Sequence, residues 1–537
     1  MSSRVLLPGL ALGVLASSSV AGDLTALSPE AVANENTSWE QEWGKVAMTP
    51  DGERVVVAWN GLGTGPHEIH CRFFDGDGNP LGGETQVNAT LTSGIQDEPM
   101  VAMDAAGNAV ICWSDRAAYD GNNMGCFGRA FGPDGQPLGP EFQINEAGDH
   151  ASQWEPMPHA LPGGGWAFAF NGDDDGNAYL RTFDVDGTPR TGDVAINTFL
   201  NNGQTEAELA ASPDGTLFAV YADFGGNVQG GTGTNLLARI FDLDGNVVTP
   251  NELVINDSTL PFDQLETRLA ADGLDGFVIV WEDAGNDGSG YGIFARRYAS
   301  DGTPRGAEFQ VNMTTAGDQR LPEVAADHVG NFVVAWEDRS SGQGVIKARH
   351  YDRHGVALSG ELSVGGSLPG EYRRPTVAMD QAGERVLFAY GGPGLTGGNN
   401  SQDVYLQRWE FRAVDVPAVG LAGASVDVDL HLPGGEGWIQ RTLASFGSEL
   451  GVFLPDGRVL PLNLDPLFDL SLFFPDNGLP FSNFTSVLPV GAQATAQVVL
   501  PANPALLGLT LHLATLSVDP AFVGLKNQLR HVTRSRA

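Results

Sequence analysis

The chain reads as an all-β protein, a seven-bladed β-propeller followed by a C-terminal β-sandwich. Three observations predict this. A short hydrophobic strand ending in an aromatic residue recurs seven times, about every 55 residues, at Trp59, Trp113, Phe170, Tyr221, Trp281, Trp336 and Tyr390. A second strand carrying Arg follows each anchor, at Arg72, Arg129, Arg181, Arg239, Arg296, Arg349 and Arg408. No stretch of the repeat shows helical periodicity.

The first residues read as a secretory signal, 1–21. Arg4 precedes the apolar stretch 5–16, and Ser19-Val20-Ala21 offers small residues for cleavage. That apolar run is shorter than the roughly 18 to 20 residues of a spanning helix, so no transmembrane segment is expected after cleavage. The expected location is extracellular or at the cell surface.

Next comes the propeller, 29–412. The unit at 322–364 displays its parts: PEVAAD, a turn at Gly330, NFVVAW, a loop, VIKARHYD, a turn at His354-Gly355, and a short fourth strand from Glu361. Asp-Gly pairs recur between strands, as at Asp51-Gly52, Asp134-Gly135 and Asp244-Gly245, and Gly tolerates the positive φ of a tight hairpin. Fourth strands end in Val-Asn or Ile-Asn, at Asn88, Asn145, Asn197, Asn256 and Asn312. The seventh unit lacks a recognisable fourth strand, while an orphan segment, 29–34 (PEAVAN), precedes the first unit. This segment is expected to close the last blade as its outer strand and so remove an unpaired edge. From about Ala413 the texture changes. Alternation at 426–432 and 509–518 predicts a separate β-sandwich over 415–532.

Units of the form P-x-V-A-x-D-x-x-G-x-x-V-V-A-W-E-D, with A-R-x-Y-D-x-x-G, resemble the repeats of large exported bacterial proteins of undefined activity. The C-terminal stretch 491–520 resembles a β domain of secreted planctomycete-type proteins, departing from it in the final HVTRSRA. These resemblances imply a propeller and extracellular residence, and name no reaction.

The formal charge of −37 argues against nucleic acid and anionic lipid as partners. The three cysteines, Cys71, Cys112 and Cys126, are too few for a disulfide scaffold. A bridge between Cys112 and Cys126 and free buried thiols both fit their positions on consecutive strands.

Residues repeated in every blade are expected to be scaffold. The arginines should pair with the acids after the anchors (Asp115, Asp223, Asp283, Asp338), and Gln41, Gln96, Gln153, Gln204, Gln264 and Gln319 should satisfy backbone groups between blades. Ligand recognition is expected where the repeat is broken, at Trp43, Trp154, Arg320, Tyr372 and Arg373. There aromatic faces beside planar donors suit a sugar, with packing between blades as the alternative. Acid-rich loops nominate Asp173, Asp175, Asp283 and Asp287 as Ca²⁺ ligands if several converge. No G-x-S-x-G or sialidase box occurs, so no catalytic residue is nominated. The expected role is a non-catalytic binding module for an extracellular glycan or surface protein. The alternatives are a polysaccharide-active hydrolase or lyase at the propeller mouth, or a purely structural surface protein.

Overall fold

A computed structural model describes residues 24–411, apart from loop residues 38–39, 63–66, 122, 147–151, 173–175, 200–202, 225–232, 257–261, 274 and 396–401. Beyond Phe411 it describes only the backbone of separate strands. The predicted signal segment and the candidates Asp173 and Asp175 therefore lie outside the described residues.

Residues 24–411 form seven antiparallel sheets; in the first six the strands run in sequence order from the axis outward, and in the seventh the outermost strands come from the N-terminal segment. Blade 1 is built from Glu40–Met48, Arg54–Leu62, Glu68–Asp75 and Thr85–Gln86, and blades 2 to 6 repeat that order. Each innermost strand packs on the next around the ring, and the last, Arg373–Met379, packs on the first, Glu40–Met48. The middle strands are wholly buried between neighbouring blades, which explains their near-continuous run of Val, Ile, Ala and aromatic residues. The anchors Trp59, Trp113, Trp281, Trp336, Tyr221 and Tyr390 are among the largest fully buried side chains.

The N-terminal segment closes the ring. Ala31–Val32 pairs with Leu406 and Tyr405 of blade 7, and Leu24–Ala26 extends the contact to Phe411–Trp409. Asn34 occupies the place of the recurrent Val-Asn/Ile-Asn asparagine. Its Oδ1 accepts the amide of Val404 at 2.9 Å, as Asn88, Asn145 and Asn312 accept those of Ile69, Cys126 and Ile293. An acid four residues before this position, which is Gly365 in blade 6, latches a blade to its predecessor. Glu141 accepts from the Thr90 amide, Glu252 from Thr198 and Glu361 from Thr314. The closing strand joins the same cycle, since Glu30 accepts from the Ser367 hydroxyl and Glu84 from the Glu35 amide.

Gln96, Gln264 and Gln319 satisfy backbone groups as predicted, each donating to a carbonyl in the loop that precedes it. Gln96 donates to the Ser93 carbonyl at 2.9 Å and accepts from Asn88 at 3.1 Å, joining the outer strand of blade 1 to the inner strand of blade 2. The arginines require a correction: they are scaffold, but their partners are not the acids after the anchors. Nη1 of Arg129, Arg181, Arg239, Arg296 and Arg349 donates to the carbonyl of Val87, Ile144, Ile196, Ile255 and Val311, in the outermost strand of the preceding blade. Each guanidinium also lies over the ring two residues on, as Arg239 over Phe241 at 5.4 Å. The reason is register. Arg129 faces Ile111, four residues along the strand from Asp115, and Asp115 instead accepts from Gln96.

Cys71, Cys112 and Cys126 are buried free thiols. Beyond blade 7, Ser425–His431 pairs with Gln493–Val499 and Ile439–Ser445 with His512–Val518. No β-sandwich is seen there: a sandwich is two sheets packed face to face, and what is described is strand pairing alone.

Candidate functional site

Every inner strand carries one extra residue. The pairing with the second strand slips between Glu42 and Lys45, Asp97 and Met100, Trp154 and Met157, Thr205 and Glu208, Leu265 and Arg268, Arg320 and Glu323, and Arg373 and Thr376. The bulged residues are Trp43, Glu98, Glu155, Glu206, Glu266, Leu321 and Arg374, all at φ between 50 and 57°. Left-handed backbone is costly for side chains of this bulk, and a bulge re-aims the residue that adopts it. All seven line one pocket on the propeller axis.

In blades 2, 3, 5 and 6 the residue after the anchor supports the strained backbone of the next blade. Ser114 Oγ accepts the Glu155 amide at 2.9 Å, and Asn171 Oδ1 accepts the Ala207 amide at 3.1 Å. Glu282 and Glu337, with fully buried side chains, accept the amides of Leu321 and Arg374. Blade 4 has Ala222 here, which has no acceptor, and Glu206 Oε2 takes the Glu266 amide instead. The same support residues hold the pocket carboxyls: Ser114 Oγ donates to Glu98 Oε2 at 2.9 Å, and Asn171 Nδ2 donates to Glu155 Oε2 at 3.0 Å.

Blades 2 to 5 thus contribute a contiguous arc of four glutamates, while blades 6, 7 and 1 contribute Leu321, Arg374 and Trp43. The Arg374 guanidinium lies 3.7 Å from the Trp43 ring centroid and pairs with Glu42 at 3.5 Å. Two residues deeper stand Lys45, Met100, Met157, Glu208, Arg268 and Glu323. Lys45 meets Glu323 at 2.7 Å, and Arg268 meets Glu323 at 3.4 Å and Glu208 at 3.6 Å. The space between the rings is about 690 Å³, open solvent at its mouth included.

Crowding sets the protonation of this arc. Burial, then the neighbouring Glu98 and Glu266, push Glu155 up to about 7. Burial, then Glu266, push Glu206 up to about 8. Burial also raises Glu208 to about 8, against the pull of Arg268. Burial would raise Glu323 too, but Lys45 and Arg268 outweigh it and hold this carboxyl below its usual value. Glu266 lies 3.9 Å from Arg268. Protonated and ion-paired carboxyls therefore stand side by side.

Of the five residues nominated by the breaks in the repeat, Trp43 lines the axial pocket. Trp154, Arg320 and Arg373 share one repeat position immediately before the bulge, outside the pocket lining. Arg320 pairs with Glu282 at 3.0 Å and covers the Tyr291 ring at 4.3 Å, and Arg373 pairs with Glu371. Tyr372 is only 2% exposed, and its hydroxyl bonds to Leu368. Asp283 is buried against Gln264 at 3.2 Å, and Asp287 accepts from Asn312, also at 3.2 Å. Among the described residues no group of three or more His, Cys, Asp or Glu is arranged to hold a metal ion.

No family model matches the sequence, and no curated protein matches it. Solved structures do. A protein of unknown function from Dyadobacter fermentans matches at 12% identity and a TM-score of 0.42, covering 72% of this chain and 99% of its own. An α-L-arabinofuranosidase from Fusarium graminearum, in complex with an iminosugar inhibitor, matches at 12% and 0.41, covering 71% and 98%. A polysaccharide lyase matches at 8% and 0.48, covering 72% and 100%. At such identities and scores the likeness carries no inference about what this chain acts on.

Proposed function

We propose that the axial pocket is the active site of an exported polysaccharide-active enzyme that cleaves glycosidic bonds. The observation that carries this reading is the pair of carboxyls that adjacent bulges aim into one pocket, Glu206 and Glu266. Glu206 keeps its proton near neutrality, while Glu266 stands beside Arg268. Glycoside hydrolysis needs one carboxylic acid to protonate the leaving oxygen and one carboxylate on the other side of the bond. Because Glu206 Oε2 accepts the Glu266 amide, its proton is carried on Oε1, the oxygen left for a substrate. Trp43 offers an apolar face for a sugar ring, and Arg374 fixes that face. The described pocket lining contains neither Tyr nor His, which favours carboxyl chemistry over a lyase using either group as base. Export rests on the leader-like segment 1–21, and no helix among the described residues is long and apolar enough to cross a membrane.

A polysaccharide panel scored for released reducing ends tests the proposal. Glu206→Gln and Glu266→Gln should each lower turnover by about 10²–10⁴-fold, the usual contribution of a general acid or base. Glycan retention with no released ends, unaltered by either variant, would return the protein to a binding module.

A further inference from the structure

The depth of the pocket bears on which part of a glycan it can take. Its walls are the bulged ring, and its floor is the ring two residues deeper. Lys45 of blade 1 reaches past blade 7 to meet Glu323 of blade 6 at 2.7 Å, so this ion pair crosses the sector in front of blade 7 instead of linking adjacent blades. Arg268 of blade 5 meets the same carboxylate at 3.4 Å and Glu208 of blade 4 at 3.6 Å. Met100 and Met157 of blades 2 and 3 and Thr376 of blade 7 complete the ring and are buried. The floor thus consists of four linked charges, two flexible apolar side chains and one threonine. A chain threading the ring would have to part all of them, leaving Lys45 or Glu323 desolvated without its partner.

The lining also selects by charge. Glu98, Glu155, Glu206, Glu266 and Glu323 share the lining with three cations: Lys45 and Arg268, both engaged by Glu323, and Arg374, engaged by Glu42. A uronate carboxylate entering this arc would find each of these cations already paired with a carboxylate.

Building on the reading of the pocket as a glycan site, we infer that it is blind and receives the terminal residue of an uncharged glycan, so that the protein acts on chain ends. The repeating unit beyond that terminal residue would leave through the single mouth, past Trp43.

Calorimetric binding to the full chain tests this without requiring turnover. The probes are linear arabino-, xylo-, manno-, galacto- and gluco-oligosaccharides, the same chains blocked at one end or the other, closed-ring gluco-oligosaccharides, and oligogalacturonate. The expected result is binding of at least one neutral linear series. Blocking one end should weaken it by about tenfold or more while blocking the other leaves it intact, with no binding of closed-ring or uronate probes. Binding that survives blocking of either end, or preference for oligogalacturonate, would overturn the inference. With an active preparation, release of short sugars without loss of polymer viscosity supports end action, and an early viscosity drop overturns it. End-selective binding without cleavage would sink the enzyme reading and leave this inference standing. Internal cleavage would do the reverse, and a panel without any binding would remove both.

Discussion

Glu206 Oε2 accepts the backbone amide of Glu266 in the adjacent blade, so one pocket carboxyl supports the strained backbone that presents the next. In blades 2, 3, 5 and 6 a buried residue after the aromatic anchor does this work. At blade 4 that residue is Ala222, and the duty passes to a group facing the pocket. Position and protonation at Glu206 are therefore coupled to the shape of the ring.

That coupling gives a pH dependence. Glu155, Glu206 and Glu208 have folded values near 7, 8 and 8, above the carboxyl value of an unfolded chain. The folded state therefore holds more protons between pH 4.5 and 8, and stability falls as pH rises through that window. The melting temperature should be higher at pH 5.5 than at pH 8.5, and Glu206→Gln should flatten the difference. A wild-type melting temperature that rises toward pH 8.5 would refute the desolvated arc.

Ring closure predicts a large effect from a small change at the N-terminal end. Asn34→Ala removes the acceptor of the buried Val404 amide and the donor to Asp403. The expected cost is about 1–3 kcal/mol, the usual penalty for an orphaned buried polar group. Urea unfolding checks it, and a loss below the error of that measurement would mean the closing strand is dispensable.

The arginines should differ among themselves in a way their repetition conceals. The Ile255 carbonyl receives both Arg296 and the Tyr298 hydroxyl, the latter at 2.6 Å. The Ile196 carbonyl receives Arg239, whose stacking partner Phe241 has no hydroxyl to offer. Arg239→Ala should cost about 1–3 kcal/mol and Arg296→Ala distinctly less. Equal losses in denaturant titrations would indicate that stacking on the ring, not the carbonyl bond, dominates.

Ligand contact should separate Trp43 from Trp154. Trp43→Ala removes an axial face and should weaken binding of a verified glycan by about tenfold or more, while Trp154→Ala should change it little. Circular dichroism on both variants separates this from misfolding, and the reverse order would move the site off the axis.

The blades, their closure and the scaffold role of the arginines were legible because strand periodicity, turn chemistry and repetition are all written in residue type. The arc of glutamates was not. It depends on a backbone φ that no side chain encodes, and in the clearest unit the PEVAAD pattern starts the strand at Pro322, one residue after the bulged Leu321. A cue was available: Glu98, Glu155, Leu321 and Arg374 each precede a proline, which disfavours right-handed helical backbone at the residue before it. Tyr372 broke the repeat for packing, since its ring fits between Tyr390 and Tyr405. Breaks in a repeat mark places where the scaffold itself is patched as well as places where a ligand could bind.

The strand that completes blade 7 is made first and used last. Asn34 meets Val404 across 370 positions, so a ribosome must deliver nearly the whole ring before that segment has a partner. Until then both rims of the gap, the outer edge of blade 7 and the flank of blade 1, stand open together. Assembly of the pocket is thereby tied to the final step of the fold: a truncated or stalled chain has an axis with a missing sector, and its glutamates have no enclosed space in which to hold their protons.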